Sequence, residues 1–400
     1  MPHGSPTFTG SNAEQTRRHN RCVVLGQIRR AGSMGRADMA RVSGLSVQAV
    51  SNIIASLQDE GMLIEAGQRS RGRGLPAPQY ALNPNGGYAL GFEVRLHSTS
   101  VTLLNLMGEM QVSDRQSLTD NDPDSVSRQL HQQMRRMLDE TGIDARLLLG
   151  AGVVMPGPFI PTGLANTDSV LPHWQEIDAQ KLFTDALSMP VLVENDANAA
   201  AVGEHVSGCT ASLGNYAFIY FGTGLGLGIV HEGRLFRGGS GNAGELGHIL
   251  VPAPDSCNLS SSGLTTRMTP LENVASRSTL QQRLMVAGLS INNDQELEAL
   301  VDTGNPELQR WLHDASASLS HAVHVVENLF DPDTVVLGGA LPDSILASLV
   351  KGISLAEHST AQRKDRRMPR VMQGHSGEIS AARGGAALVI NSLFTPRTLS

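Results

Sequence analysis

The sequence predicts an α/β protein in which an N-terminal winged helix-turn-helix precedes a larger body of two related α/β halves. Three observations carry this prediction. Residues 36–82 read as two short helices across a tight turn, followed by an arginine-tipped hairpin. Positive charge is concentrated around that segment. Strand pairs around a turn then recur, at 88–106 and again at 216–231, each followed by further buried strands and helical patterning.

The N-terminal elements follow from local chemistry. The first helix is Arg36 to Val42, with Ala37, Met39, Ala40 and Val42 at apolar positions. Ser43-Gly44-Leu45 makes the turn, where glycine takes the backbone angles a corner needs. Ser46 caps a second helix, Val47 to Glu60, which Gly61 stops. Val50, Ile53, Ile54 and Leu57 share one face, and Ser46, Gln48, Ala49, Ser51 and Asn52 form a small, polar opposite face. Such a surface suits a recognition helix in a DNA major groove, with Arg36 beside it. A strand (Met62 to Ala66), a loop carrying Arg69, Arg71 and Arg73, and a second strand (Gln79 to Leu82) complete the wing.

Residues 15–75 hold ten arginines against four acidic residues, a net +6, whereas the whole chain is −7, leaving −13 for the remainder. A basic module on an acidic body argues for local phosphate contacts, and the alternating arginines suit an arm that follows the backbone or enters a minor groove. A solvated arginine loop beside a small helical bundle is the competing reading.

Four hundred residues suit two or three domains. No apolar run approaches the roughly 20 residues that cross a bilayer. Met1 to Asn12 is small and polar without a signal pattern, and is expected to be disordered. Cys22, Cys209 and Cys257 are scattered and make no disulfide framework. These features predict a cytoplasmic, nucleoid-associated protein without membrane insertion. The expected boundaries are a disordered stretch at 1–13, the DNA-binding domain at 14–82 and a linker at 83–87. One lobe of the body then spans 88–196 plus 380–396, and the other spans 197–379.

Within the body, buried strands at Leu147 to Val154, Val191 to Val193 and Thr334 to Leu337 run into polar or glycine-rich loops, where α/β proteins place ligands. Helices are expected at Pro123 to Glu140, Asp294 to Asp302, Glu307 to Asn328 and Gly384 to Ser392. Glu194-Asn195-Asp196-Ala197-Asn198 puts polar groups at the end of one strand. It admits two readings, a grip on neighbouring hydroxyls or a helix cap. Gly222-Thr223-Gly224-Leu225-Gly226 is either a phosphate-approaching hairpin or a plain tight turn. Gly241-Asn242-Ala243-Gly244-Glu245-Leu246-Gly247-His248 is less ordinary; if helical, it places Glu245 and His248 on one face, and a flexible surface loop is its rival. Trp174 is expected at the pocket mouth or lobe surface, and Asn166 serves either a ligand or its loop.

Taken together, these strings resemble the ROK family of repressors and sugar kinases, which have an actin-like, ribonuclease-H-like fold. The likeness runs from the wing through Ala382-Arg383-Gly384-Gly385-Ala386-Ala387, and Tyr80-Ala81-Leu82-Asn83-Pro84 is similar to the repressor branch. The resemblance implies that Asn195, Asp196, Glu245 and His248 bind sugar, with Glu272 a further contact. In the kinases, the aspartate matching Asp196 is the general base.

Two departures bear on chemistry. The family's kinases begin with Asp-x-Gly-Gly-Thr over the ATP phosphates; the matching stretch here is Glu93-Val94-Arg95-Leu96-His97, whose side chains would occupy that space. Neither ATP nor phosphoryl transfer is therefore expected. Many members also hold zinc with a His and a Cys-x-Cys-Gly-x-x-Gly-Cys run. Here His248 and Cys257 remain, but Leu259 and Leu264 replace two thiolates, so no zinc is expected. The chain is thus expected to be a sugar-responsive repressor that binds operator DNA as a homodimer or homotetramer. The alternatives are a DNA-binding sugar kinase and a regulator controlled by a protein partner such as a sugar transporter.

Overall fold

The structure is a computed structural model that describes residues 12–69, 76–157, 174, 177–254, 267–291 and 293–396. The chain begins with α1 (Ala13–Ala31), whose N-terminus is closed by a reciprocal cap between Asn12 and Gln15. After β1 (Ser33–Met34) come α2 (Arg36–Ser43) and α3 (Val47–Asp59). Gly44 makes the corner between the helices at φ 71°, and Gly61 ends the second at φ 74°. Ser46 Oγ accepts from the Ala49 amide at 3.1 Å, capping α3. The hairpin of β2 (Leu63–Arg69) and β3 (Ala77–Leu82) follows, and β1 joins it to give the order β1-β3-β2. Val50, Ile54 and Leu57 of α3 are fully buried with Met39 and Tyr80.

The segment 83–87, expected as a linker, is a tight turn whose first two residues are fastened to the head and to the body. Asn83 Nδ2 donates to Gly61 O at 2.7 Å, and Leu106 N donates to Pro84 O at 3.2 Å. One apolar core runs without interruption from Leu25 and Ile28 of α1 through this head into Ala89, Leu104 and Phe394 of the body. The head therefore does not hang on a flexible tether.

The body contains two five-stranded sheets of identical design. The first uses β4 (Tyr88–Val94), β5 (Ser98–Asn105), β6 (Met110–Ser117), β7 (Leu148–Met155) and β8 (Val191–Asn195) in the order β6-β5-β4-β7-β8. The helices α4 (Pro123–Thr141), α5 (Ala179–Leu187) and α6 (Asp196–Ser207) belong to this part of the chain. The second half opens with β9 (Tyr216–Phe221), β10 (Leu225–His231) and β11 (Arg234–Leu235). The short pair β12 (Leu250–Pro252) and β13 (Met268–Pro270) leads to α7 (Glu272–Ala275), α8 (Arg277–Val286), α9 (Asp294–Asp302) and α10 (Pro306–Phe330). Then β14 (Val335–Gly339), α11 (Asp343–Gly352) and β15 (Val371–Ser376) complete a sheet ordered β11-β10-β9-β14-β15. In each sheet the first three strands pair antiparallel and the last two join in parallel.

The final helix, α12 (Ser380–Phe394), returns to the first half. A Cβ on Gly91 or Gly152 would collide with its backbone at Ala382 or Gly385, and one on Gly384 would collide with α6 at Ala199. Small residues are thus what lets α12 lie flush between the first sheet and α6. Trp174 is not at a pocket mouth: it is 8 % exposed, stacks on Phe183 at 5.5 Å and donates to Asn121 O at 3.0 Å, inside the core of the first half. No described helix is long and apolar enough to cross a membrane.

Candidate functional site

The site forms where β8 ends and α6 begins. Asn195 caps α6, its side chain accepting from the Asn198 amide at 2.8 Å, so the cap reading of this string is realised. Its neighbour Asp196 accepts from the Ala197 amide at 2.9 Å. Burial pushes the Asp196 pKa up; the Ala197 amide and the Arg95 charge oppose that, and Glu245 reinforces it. Glu194, buried at 7 % exposure, accepts from Asn198 Nδ2 at 3.0 Å and from Arg237 at 2.7 and 2.9 Å.

The glycine hairpin between β9 and β10 lies against this group. A Cβ on Gly222 would sit 3.1 Å from Asp196 Oδ2, and one on Gly224 3.0 Å from Glu272 Oε2. Side chains there would push into the carboxylates, which accounts for glycine at both positions. Glu245 immediately precedes a 3-10 turn, Leu246–His248. Its carboxylate lies 3.6 Å from His248 Nε2, and His248 Nδ1 is 3.9 Å from Glu272 Oε1. Asp196, Glu245, His248 and Glu272 therefore surround one glycine turn, with Asn195 at the rim. Three carboxylates and an imidazole offer acceptors and a switchable donor for several adjacent hydroxyls.

At the end of β4, Arg95 Nε donates to Glu93 Oε1 at 2.6 Å. Burial pushes the Glu93 pKa up against the pull of Arg95. Burial also works against the Arg95 charge, but Glu93 and Asp196 outweigh it and raise its pKa. Leu96, expected beside Arg95 in the same space, is instead 42 % exposed. Arg115, Arg277 and Glu378 gather around Arg95 although nothing in the local sequence singles them out.

The DNA-contacting candidates occupy the head. Arg36, Ser46, Gln48 and Asn52 are exposed, while Ala49 and Ser51 are half-buried. Gln48 Nε2 donates to Asn52 Oδ1 at 3.0 Å, and Arg36 stands 5.2 Å over the Tyr80 ring. Arg69 is exposed at the end of β2; Arg71 and Arg73 lie outside the described residues. So do Asn166 and the zinc-loop positions Cys257, Leu259 and Leu264.

The chain belongs to the ROK family, whose sequence profile matches residues 90–392. A xylose repressor of Bacillus subtilis is 27 % identical over 241 residues, covering 60 % of this chain and 62 % of the repressor. A crystal structure of a ROK family transcriptional regulator, a homologue of the Escherichia coli MLC protein, superposes with TM-score 0.69 at 24 % identity, over 95 % of this chain and 97 % of that one. A ROK hexokinase from Thermus thermophilus superposes with TM-score 0.52 at 23 % identity, covering 75 % of this chain and 97 % of its own.

Proposed function

We propose that this chain is a sugar-responsive, DNA-binding transcriptional repressor. The head is read as a winged helix-turn-helix, with α3 entering the major groove and Arg69, Arg71 and Arg73 on the wing. A single such head covers a half-site, so the working form is a homodimer or homotetramer on operator DNA in the cytoplasm. The sugar pairs with Asn195, Asp196, Glu245, His248 and Glu272. The xylose repressor and the transcriptional regulator among its relatives support this reading.

One observation carries it. The helix α6 starts at Asp196, in the candidate sugar site, and its far end is tied to the head: Arg29 of α1 donates to Val206 O. Ligand and DNA modules thus grip opposite ends of one rigid element. A sugar that prefers one interlobe arrangement by 100-fold supplies about 2.7 kcal/mol of bias. The Arg95 guanidinium beside Asp196 supports a non-enzymatic reading, since magnesium-bound triphosphate and an arginine compete for one space. We expect neither ATP nor zinc as a cofactor.

The test joins calorimetric screening of aldoses to operator binding by fluorescence anisotropy. Asp196→Ala and Glu245→Ala should lose the sugar response and keep operator affinity. An unchanged response in both variants refutes the pocket, and absence of any DNA binding refutes the head.

A further inference from the structure

Beside the carboxylate cluster lies a cavity of about 160 Å³, lined among others by Arg95, Arg115, Thr223, Arg277, Gln281 and Glu378. Three guanidiniums from three distant stretches converge there: Arg95 follows β4, Arg115 is on β6 and Arg277 opens α8. Burial and then the neighbouring Arg95 charge push the Arg115 pKa down, as expected when cations crowd. The first turn of α8 adds its positive end, with Ser276 capping the Thr279 amide at 3.2 Å and Ser278 in the cavity wall. Arg95 Nη2 is buried and has no hydrogen-bond partner among the described residues.

Each arginine has an acidic neighbour, Arg277 also donates to Ala340 O, and Arg95 Nη2 alone among their buried terminal nitrogens is left open. Glu93 holds Arg95 by its Nε, and Asp294 holds Arg277 at 2.8 Å. Glu378 pairs with Arg115 and lies 3.7 Å from Arg277. It is thus an internal carboxylate placed where an external anion would answer the same arginines. With Glu378 in place, three carboxylates balance the three guanidiniums; once an external anion displaces it, Glu93 and Asp294 alone face them.

The cavity adjoins the sugar site. Gly222 lines it, and that residue is the one whose Cβ would touch Asp196 Oδ2. A ligand paired with Asp196 therefore has the arginines as its next neighbours. Crowded guanidiniums repel a divalent cation, whereas their planar forks match the oxygens of one phosphoryl group.

We propose that the ligand of this chain is a sugar phosphate monoester, its hydroxyls on the Asp196–Glu245–His248–Glu272 cluster and its phosphoryl group on Arg95, Arg115 and Arg277, displacing Glu378. This rests on the sugar reading above and narrows its ligand class.

Titration calorimetry on the full chain tests it with inorganic phosphate, with aldoses supplied both free and as terminal phosphate monoesters, and with magnesium ATP. Inorganic phosphate should bind saturably in the millimolar range. At least one monoester should bind about tenfold or more tightly than its free sugar. Arg115→Gln, at a partly exposed position, should weaken ester and phosphate about tenfold and leave the free sugar unchanged. Glu378→Gln should strengthen both anions several-fold. Equal affinity for ester and free sugar, an Arg115→Gln variant with no effect, or tighter binding of magnesium ATP than of any ester overturns the proposal. Should no aldose on the panel bind, the phosphate titrations decide: saturation that responds to both variants supports the site, and its absence overturns it. A free sugar that binds through Asp196 without ester preference removes this inference alone. Ligand binding indifferent to Asp196→Ala removes the sugar reading beneath it.

Discussion

Replacing Arg29 by Met separates the stability of the head–body junction from its coupling. Arg29 lies on α1, yet it donates to Val206 O at the end of α6 and stands 4.6 Å over the Phe394 ring of α12. A hydrogen bond from a charged donor contributes about 1.5–3 kcal/mol. The cation–π contact contributes about 0.5–2 kcal/mol. Against these, burial lowers the Arg29 pKa by a little over two units, to about 10. At 1.36 kcal/mol per pKa unit, holding that charge away from water costs about 3 kcal/mol. The two sides nearly cancel, and Met keeps most of the aliphatic packing. Unfolding in denaturant should therefore remain one cooperative transition and shift by less than about 2 kcal/mol. Coupling should fall much further, because the tie between α6 and α1 is gone. The ratio of operator affinities with and without saturating ligand, read by fluorescence anisotropy, should shrink at least about fivefold from a typical coupling of 1–3 kcal/mol. Operator affinity without ligand should stay within about threefold. An unchanged ratio would show that α6 does not carry the signal. A stability loss above about 3 kcal/mol would show that the desolvation cost has been overstated.

Three further outcomes follow from the same kind of reasoning. Asp196→Asn should raise the melting temperature of the unliganded protein at neutral pH, because burial disfavours the Asp196 charge. The sign is fixed by the raised pKa. The folded wild type binds its proton more tightly than the unfolded chain, so it gains stability as pH falls through that pKa, and the gap to the variant closes on acidification. Arg370→Ala should cost about 3–5 kcal/mol in denaturant unfolding, by stranding a buried carboxylate. Arg370 makes a two-pronged pair with Glu327 at 2.7 and 2.6 Å, with the two side chains only 9 % and 1 % exposed. A loss under about 1 kcal/mol would refute the argument, and Glu327→Gln with Arg370→Met should recover much of the loss. Replacing Arg69, Arg71 and Arg73 by Ala should flatten the salt dependence of operator binding by about 0.9 for each phosphate contact removed. An unaltered slope would mean that these arginines touch no phosphate.

What could be read from the sequence was what local chemistry determines. Ser46, Gly44 and Gly61 marked the limits of α3 because capping and left-handed corners depend on adjacent residues alone. Glu245 and His248 could be paired because they stand three positions apart. By contrast, α1 escaped notice: its stretch carries Arg17, Arg18, Arg21, Arg29 and Arg30, and its buried residues, Cys22, Val24, Leu25 and Ile28, give only a thin apolar stripe. Its packing partner is Phe394, near the other end of the chain. Trp174 was misplaced for a similar reason, since its stacking partner Phe183 and acceptor Asn121 belong to other elements. Arg95 stood out in the sequence as a departure from the kinase phosphate motif, but its neighbours did not: Arg115, Arg277 and Glu378 each look like ordinary surface charges until the fold brings them together.

The packing of α6 explains why one helix can serve both ends. On one side, a Cβ on Gly226 or Gly228 would meet Ala197 or Ala201; on the other, Gly384 of α12 abuts Ala199. Glycine against alanine on both flanks leaves few long side chains to bend or rearrange as α6 shifts. Close-packed interiors transmit displacement rather than absorb it. The far end of α6 is held at Val206 by Arg29 and at Ser207, where Arg383 of α12 donates at 2.7 Å. The second tie binds α6 to α12, while the first joins it to the N-terminal head. A ligand needs only to favour one position of this helix. Two or three hydrogen bonds to charged groups, present in one interlobe arrangement and absent in the other, exceed the roughly 2.7 kcal/mol that a hundredfold change in operator affinity requires. Under the proposed sugar reading, the carboxylates around the Gly222 turn would supply that number of contacts.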